Sequence, residues 1–305
     1  MKRLGCFIVV PLSLMLLFAF AKPLSAEDVV VIEGAAVKPF EEALKGFEHN
    51  CGCNVKGVLA LDMKDADPMA FIEKLKPDKV VAIGEEALKS VKNITNKQVI
   101  YMMVLNPTLY TAGKSNFTGI SMIIPPAKQL RAIRSVFPNV DRLGVLYNPE
   151  NSENIVRTAR SVAASMGFEI ITHEVHSPKD IPGALNAIKH KIEALWLIPD
   201  VTVAPPEMIE LYELFSVHYN KPLFTFADKH LERGASLSVS ISPVDIGKQA
   251  GEILKNSYAN KSNLHDVTVA KVSLNPVVAT KMVLVINEPF RKENTVFMDI
   301  SQLKR

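Results

Sequence analysis

Asp200 and Thr202 follow directly on an apolar row, Leu195-Trp196-Leu197-Ile198, that Pro199 closes. A carboxylate and a hydroxyl at the tip of a run suited to a protein interior can hold a small ligand by charge and hydrogen bonds. The arrangement recurs along the chain. In the first half, Gly34-Ala35-Ala36, Gly84-Glu85 and Leu105-Asn106-Pro107-Thr108 each follow an apolar run. In the second half, Asn148-Pro149-Glu150-Asn151-Ser152 and Phe226-Ala227-Asp228 do so, as do Ser240 and Ser242. Small and polar residues at helix starts leave backbone N–H groups open to a carboxylate or other anion. Each position also reads as local structure, because Ser, Thr, Asn and Asp are ordinary N-caps and Asn106-Pro107 is an ordinary turn. Thr202 keeps the capping alternative. Asp200 stands too early to cap a helix beginning near Pro205, and is read as a ligand contact.

Other reactive side chains offer less. His49, Cys51 and Cys53 in "HNCGC" are three soft donors, a cysteine pair able to bridge through a tight ring, or a turn after a helix bent at Gly52. No second CxC, CxxC or HxxxH completes a four-ligand set, so no metal is expected. There is no G-x-G-x-x-G after the first strand, no P-loop, no G-x-S-x-G and no H-E-x-x-H. No cofactor is expected either. Trp196, the single tryptophan, lies inside a strand and is assigned to the core.

The elements that position these groups alternate in a regular way. Val29 to Ile32 is a β-branched strand, and Phe40, Ala43, Leu44 and Phe47 then mark one helix face. Strands at 55–61, 79–84, 98–104 and 118–121 continue the pattern, and Pro125-Pro126 opens a helix carrying Leu130, Ile133 and Val136. Near "FPNVDR" (137–142) the cycle restarts, with strands "RLGVLYN", "FEIITHEV", "EALWLIP", "PLFTF" and "SLSVSI" separated by helical patterns. Ile246, Ala250, Ile253 and Leu254 mark a late helix, followed by "VTVAKV" and a C-terminal segment. Short Val/Ile/Leu strands alternating with helices predict an α/β fold with parallel sheets covered on both faces. Two such runs predict two Rossmann-like lobes. Ligands of such sheets bind in the crevice at the carboxyl ends of the strands, where the polar residues above are gathered.

Composition narrows the function. Lys2 and Arg3, the apolar run Leu4 to Phe20 and the small residues Leu24-Ser25-Ala26 read as a signal peptide over 1–26, with an uncleaved anchor as the alternative. Residues 1–26 include Lys2, Arg3 and Lys22 and no acid. Without them Lys+Arg falls from 35 to 32, level with the 32 Asp+Glu. A chain with no basic excess is not expected to bind nucleic acid. No later segment is apolar and long enough to span a bilayer.

Several motifs together carry a family likeness. Thr118-Gly119-Ile120-Ser121, Pro126 with Gln129-Leu130, and Tyr147-Asn148-Pro149 occur in the order T-G-[IV]-S, P-x-x-Q-L, Y-N-P. "IPDVTV", "SVSISPVDIGKQAGEIL" and "VVAIGEEAL" add to them. The chain resembles one family of ABC-transporter substrate-binding proteins, the group that includes tryptophan- and tyrosine-binding lipoproteins, over about residues 27–285. Where the family commonly carries an Asp before a proline, Asn106 stands, and the Ser-Asp often found after the first strand is absent.

The resemblance implies a type I periplasmic-binding-protein fold with three chain crossovers and a ligand cleft between the lobes. Lobe one takes 27–138 with 244–266 returning to it, and lobe two takes 139–243 with 267–305. The implied protein is periplasmic and monomeric, and binds rather than catalyses. Its partners are a small amino-acid-like ligand, aromatic or aliphatic, and an inner-membrane ABC permease. The ligand's carboxylate would rest on Thr108, Ser152 or Thr202, its ammonium on Asp200 or next Asp228, and its side chain on aliphatic walls. A ligand-sensing module for a membrane signalling protein needs the same cleft. An enzyme on paired Rossmann lobes, such as a glycosyl transferase, lacks the nucleotide and metal motifs.

Overall fold

The computed structural model describes residues 26–256, 263–288, 290–293 and 295–299. The signal-peptide reading falls outside these residues except at Ala26. No described helix is long and apolar enough to cross a membrane.

The first run is β1 (Asp28–Glu33), α1 (Lys38–Cys51), β2 (Asn54–Ala60), α2 (Pro68–Leu75), β3 (Lys79–Ile83), α3 (Glu85–Val91), β4 (Gln98–Met102), α4 (Thr108–Thr111) and β5 (Phe117–Ile120). The helix α5 (Pro126–Val136) leads to the second run: β6 (Arg142–Tyr147), α6 (Pro149–Ala163), β7 (Glu169–Glu174), α7 (Ile181–Ile188), β8 (Ala194–Trp196), α8 (Ile209–Tyr219), β9 (Leu223–Thr225) and β10 (Leu237–Ser240). The chain ends with α9 (Pro243–Lys255), β11 (Leu264–His265), β12 (Val269–Leu274), α10 (Pro276–Lys281) and β13 (Thr295–Asp299).

Two sheets result. The first has the order β11-β5-β4-β3-β1-β2 and is parallel throughout; the second has the order β13-β12-β10-β9-β8-β6-β7. In the second, β6 to β10 are parallel, but β12 runs antiparallel to both β10 and β13. The expected all-parallel pattern therefore fails at one edge, where the chain returns after its last crossing. The central strands β1 and β3 are buried along almost their whole length, as strands covered on both faces must be.

One assignment from sequence changes. Residues 126–138 are expected in the first lobe, but α5 packs against α6 and β10 of the second sheet. Its Arg134 donates to the carbonyls of Met166 (3.2 Å) and Gly167 (2.7 Å). The chain thus crosses before Pro126, not after Phe137.

Helix α9 lies on α1, as its apolar stripe requires. The two helices meet backbone to backbone, because a Cβ on Gly247 would stand 1.9 Å from the Ala43 carbonyl oxygen. At the end of α1, Gly52 adopts φ +59°, and Cys51 and Cys53 are joined as a disulfide. Of the readings of "HNCGC", the bridge is the one formed, around the glycine bend. Among the described residues no group of His, Cys, Asp and Glu could hold a metal ion.

Candidate ligand cleft

The second-sheet strand ends are held together by one carboxylate. Asp200 is 3 % exposed. Its Oδ2 accepts from the backbone N–H of Asn148 (2.9 Å), and its Oδ1 from the N–H groups of Thr202 (2.9 Å) and Val203 (3.3 Å) and from Asn151 Nδ2 (3.2 Å). Asp200 therefore caps the turn 200–204, whose backbone closes from Ala204 N–H to the Asp200 carbonyl at 2.8 Å. It also ties that turn to the loop after β6. The cap belongs to Asp200 and not to Thr202, the reverse of the sequence reading. Thr202 Oγ1 instead accepts from the amides of Asn148 and Asn151, both at 3.0 Å. The linkage to Asn148 spans 52 residues, so no local pattern announces it.

Asp228 is engaged in the same way. It accepts from Ser240 Oγ at 2.8 Å and pairs with Lys271 Nζ at 2.5 Å. Burial works to raise its carboxyl, but the hydrogen bonds from Lys271 and Ser240 outweigh it and hold it below the usual carboxylate range. Tyr147, at the end of β6, sends its hydroxyl to Glu174 at 3.2 Å. Burial, with Glu153 and Glu174 close by, pushes the phenol up to about 12.

In front of this network lies a cleft of about 540 Å³, within the range of small-molecule sites. Leu105 and Asn106 reach it from the loop after β4, and Met122, Ile123 and Ile124 from the first crossover. Gln129, Glu150, Asn151, Ile155, Pro199, Asp200, Val201, Ala204, Phe226, Val239, Ser240 and Ile241 complete it. Gln129 fixes the wall: its Nε2 donates to the Ile124 carbonyl (2.7 Å) and its Oε1 accepts from Trp196 Nε1 (3.2 Å). Trp196, 2 % exposed, is core as expected.

Of the residues singled out from sequence, Asn106, Asn151, Asp200 and Ser240 line the cleft. Asn148, Thr202 and Asp228 stand one hydrogen bond behind it. Pro149 opens α6 beside the Asn148 cap, whose Oδ1 accepts from Glu150 N–H. Ser152 is buried, with no described partner for its Oγ. Ser242 is the N-cap of α9. Pro107 and Thr108 begin the short α4 outside the lining.

Gly34, Ala35, Ala36, Gly84 and Glu85 also lie outside the lining, and each has a structural task or neighbour. Gly34 N–H donates to Ile83, and Ala36 N–H, one residue beyond Ala35, donates to the Asp62 carboxylate. Glu85 accepts from the Tyr110 hydroxyl at 2.7 Å. Gly84 has φ +93°, and a Cβ there would come within 2.6 Å of the Phe40 ring. Sequence reasoning missed the crossover residues 122–124, Gln129 and Ile155. It also gave no role to Glu150, although that residue stood in a loop already named.

The comparisons with known proteins agree with this architecture. A family model described as "ABC transporter substrate binding protein" matches residues 34–297. A tyrosine-binding protein of Clostridioides difficile (strain R20291) is 21% identical over 244 residues, covering 74% of this chain and 69% of that protein. Among solved structures, an ABC domain in complex with L-Trp from Streptococcus pneumonia aligns with TM-score 0.55 and 21% identity over 88% of this chain and 99% of that one. The ligand-free, open structure of a substrate-binding protein with adhesive properties from Clostridium difficile aligns with TM-score 0.66 and 15% identity, over 88% and 98%. The fold is that of the type I periplasmic binding proteins.

Proposed function

Because the chain belongs to the ABC transporter substrate-binding protein family, we propose that it is an exported protein that captures a small amino-acid-like molecule between two lobes and delivers it to an ABC permease. The cleft carries this reading: about 540 Å³ bounded by a first-sheet loop, a crossover and four second-sheet strand ends. Its walls are mainly aliphatic, from Met122, Ile123, Ile124, Ile155, Val239 and Ile241, with Phe226 as the aromatic side chain. Asn106, Asn151 and Ser240 supply polar groups, the last two fixed by hydrogen bonds to Asp200, Thr202 and Asp228. A mostly apolar pocket with few polar groups orients a ligand that has an apolar side chain and one polar end.

The protein acts by closure and release and not by turnover, with the crossovers as hinges. The tyrosine- and tryptophan-binding relatives support an amino-acid ligand, aromatic or aliphatic. In this reading the protein works outside the cytoplasm as a monomer. The test is native mass spectrometry of the purified protein, followed by a thermal-shift screen of amino acids and other small metabolites. A ligand of the folded form raises the melting temperature, and cells lacking the protein then take up that ligand more slowly. If no small molecule binds, or uptake is unchanged, the reading fails.

A further inference from the structure

The cleft has a one-sided charge. Among the described residues its lining contains no lysine, arginine or histidine, and its two charged side chains, Asp200 and Glu150, are both acids. They are in different situations. Asp200 is buried and its two oxygens already accept four hydrogen bonds from residues 148, 151, 202 and 203. Glu150 is exposed to the cleft, and no described ion pair or side-chain hydrogen bond engages its carboxylate. Lys271, behind Ser240, is held by Asp228 at 2.5 Å.

Position adds to composition. Glu150 sits in the first turn of α6, a 15-residue helix. The N-terminal field of a helix favours an anion, and here the protein's own carboxylate lies in that field. A ligand carboxylate at the same place meets a like charge. Glu153 and Glu174 lie close to Tyr147 at the same sheet edge, so the surroundings are acidic as well.

We infer that the cleft selects a ligand with a protonated amine on an apolar body, and that Glu150 supplies the amine's counter-charge. This rests on the reading of the cleft as a capture site and names the group that decides specificity within it. A carboxylate on the ligand is tolerated only where a neutral donor can meet it. Asn106 is the lining amide for that, because the Asn151 amide already donates to Asp200 and Thr202 and the Ser240 hydroxyl to Asp228. The amine is required.

The experiment uses matched sets sharing one body: phenethylamine, phenylalanine and 3-phenylpropionate; tryptamine, tryptophan and indole-3-propionate; isoamylamine, leucine and 4-methylpentanoate. Each is measured by thermal shift and calorimetry on the wild-type protein and on Glu150→Gln. Members bearing an amine are expected to bind and the pure carboxylates not to. Glu150→Gln is expected to weaken the amine-bearing members about tenfold or more, the scale of one charge-assisted contact. Unliganded Glu150→Gln is expected to melt within about 2–4 °C of the wild type, because the side chain is exposed and gives up only its interaction with the α6 N-terminus, so a loss of binding is not a loss of folding.

A pure carboxylate that binds as tightly as its amine, or unchanged affinity in Glu150→Gln, overturns the inference while leaving capture intact. If no member of the sets binds, the ligand retained by the purified protein decides. A retained molecule without a basic nitrogen overturns the inference alone, one with a basic nitrogen supports it, and absence of any bound molecule overturns capture as well.

Discussion

The indole N–H of Trp196 donates to Gln129 Oε1 at 3.2 Å, and the same glutamine donates to the carbonyl of Ile124 at 2.7 Å. One buried amide thus joins the core of the second sheet to the crossover that forms a cleft wall. As the single tryptophan of the chain, Trp196 is a built-in reporter of that wall. Ligand binding is expected to shift or quench its emission. Gln129→Leu leaves a buried N–H and a buried carbonyl without partners, at a cost of about 2–4 kcal/mol. Urea denaturation checks the stability, and fluorescence titration checks the loss of coupling.

Asp200 gives a separate prediction. Asp200→Ala strips the buried Asn148 N–H and the turn 200–204 of their acceptor, and is expected to lower stability by about 3 kcal/mol. Asp200→Asn retains one acceptor oxygen and is expected to lose less. If Asp200→Ala unfolds in urea like the wild type, the network around that carboxylate is not what holds the loops.

The contrast between Asp200 and Glu150 marks how far the sequence could be read. The apolar run Val29–Ile32 is strand and buried together, as a strand covered on both faces requires, whereas Leu195–Ile198 is buried throughout but its strand β8 ends at Trp196. The polar residues after such runs follow strands of both sheets, and Asn106, Asn151, Asp200 and Ser240 among them line the cleft. Their roles were not legible, because the partner of Asp200 lies 52 residues away and helix-capping rules see only neighbours. Met122–Ile124 become a cleft wall only because the chain crosses there. Residues 126–138 read as lobe one because the helix follows the first run in sequence, whereas Arg134 anchors it to Met166 and Gly167.

A buried histidine sets a pH dependence. Thr225 Oγ1 and His230 Nδ1 are 2.6 Å apart, and burial, with Lys229 and Arg233 nearby, lowers the ring to about 4. Between that value and the usual 6.5 the unfolded chain binds more protons than the folded one. The contribution of the neutral ring is therefore complete above about pH 6.5 and is lost as pH falls towards 4, by at most about 3 kcal/mol. Denaturation at pH 7 and pH 4.5 is expected to show the fall, and His230→Gln to reduce it.

The contact of α1 with α9 predicts a sharp steric effect. A Cβ at Gly247 meets the Ala43 carbonyl oxygen at 1.9 Å and the Phe47 nitrogen at 2.7 Å, both backbone atoms. Gly247→Ala must push the helices apart and is expected to cost about 3 kcal/mol or more. Gly183→Ala, with nothing within 4 Å, is the matched control and is expected to be nearly neutral. Thermal melting of the two variants makes the comparison.

A second buried amide repeats the device seen at Gln129. Gln249 of α9 donates to the Asp266 carbonyl at 2.8 Å and accepts from Thr268 N–H and Oγ1, both at 3.1 Å. Each glutamine clamps one crossover to a helix, so the strips of chain left able to bend are short. A joint of that kind behaves as an axle more than as a tether, with one stiff angle between its two halves. Under the proposed capture function, occupancy of the cleft is then written into a single coordinate, legible across both halves to the proposed membrane partner without contact to the ligand.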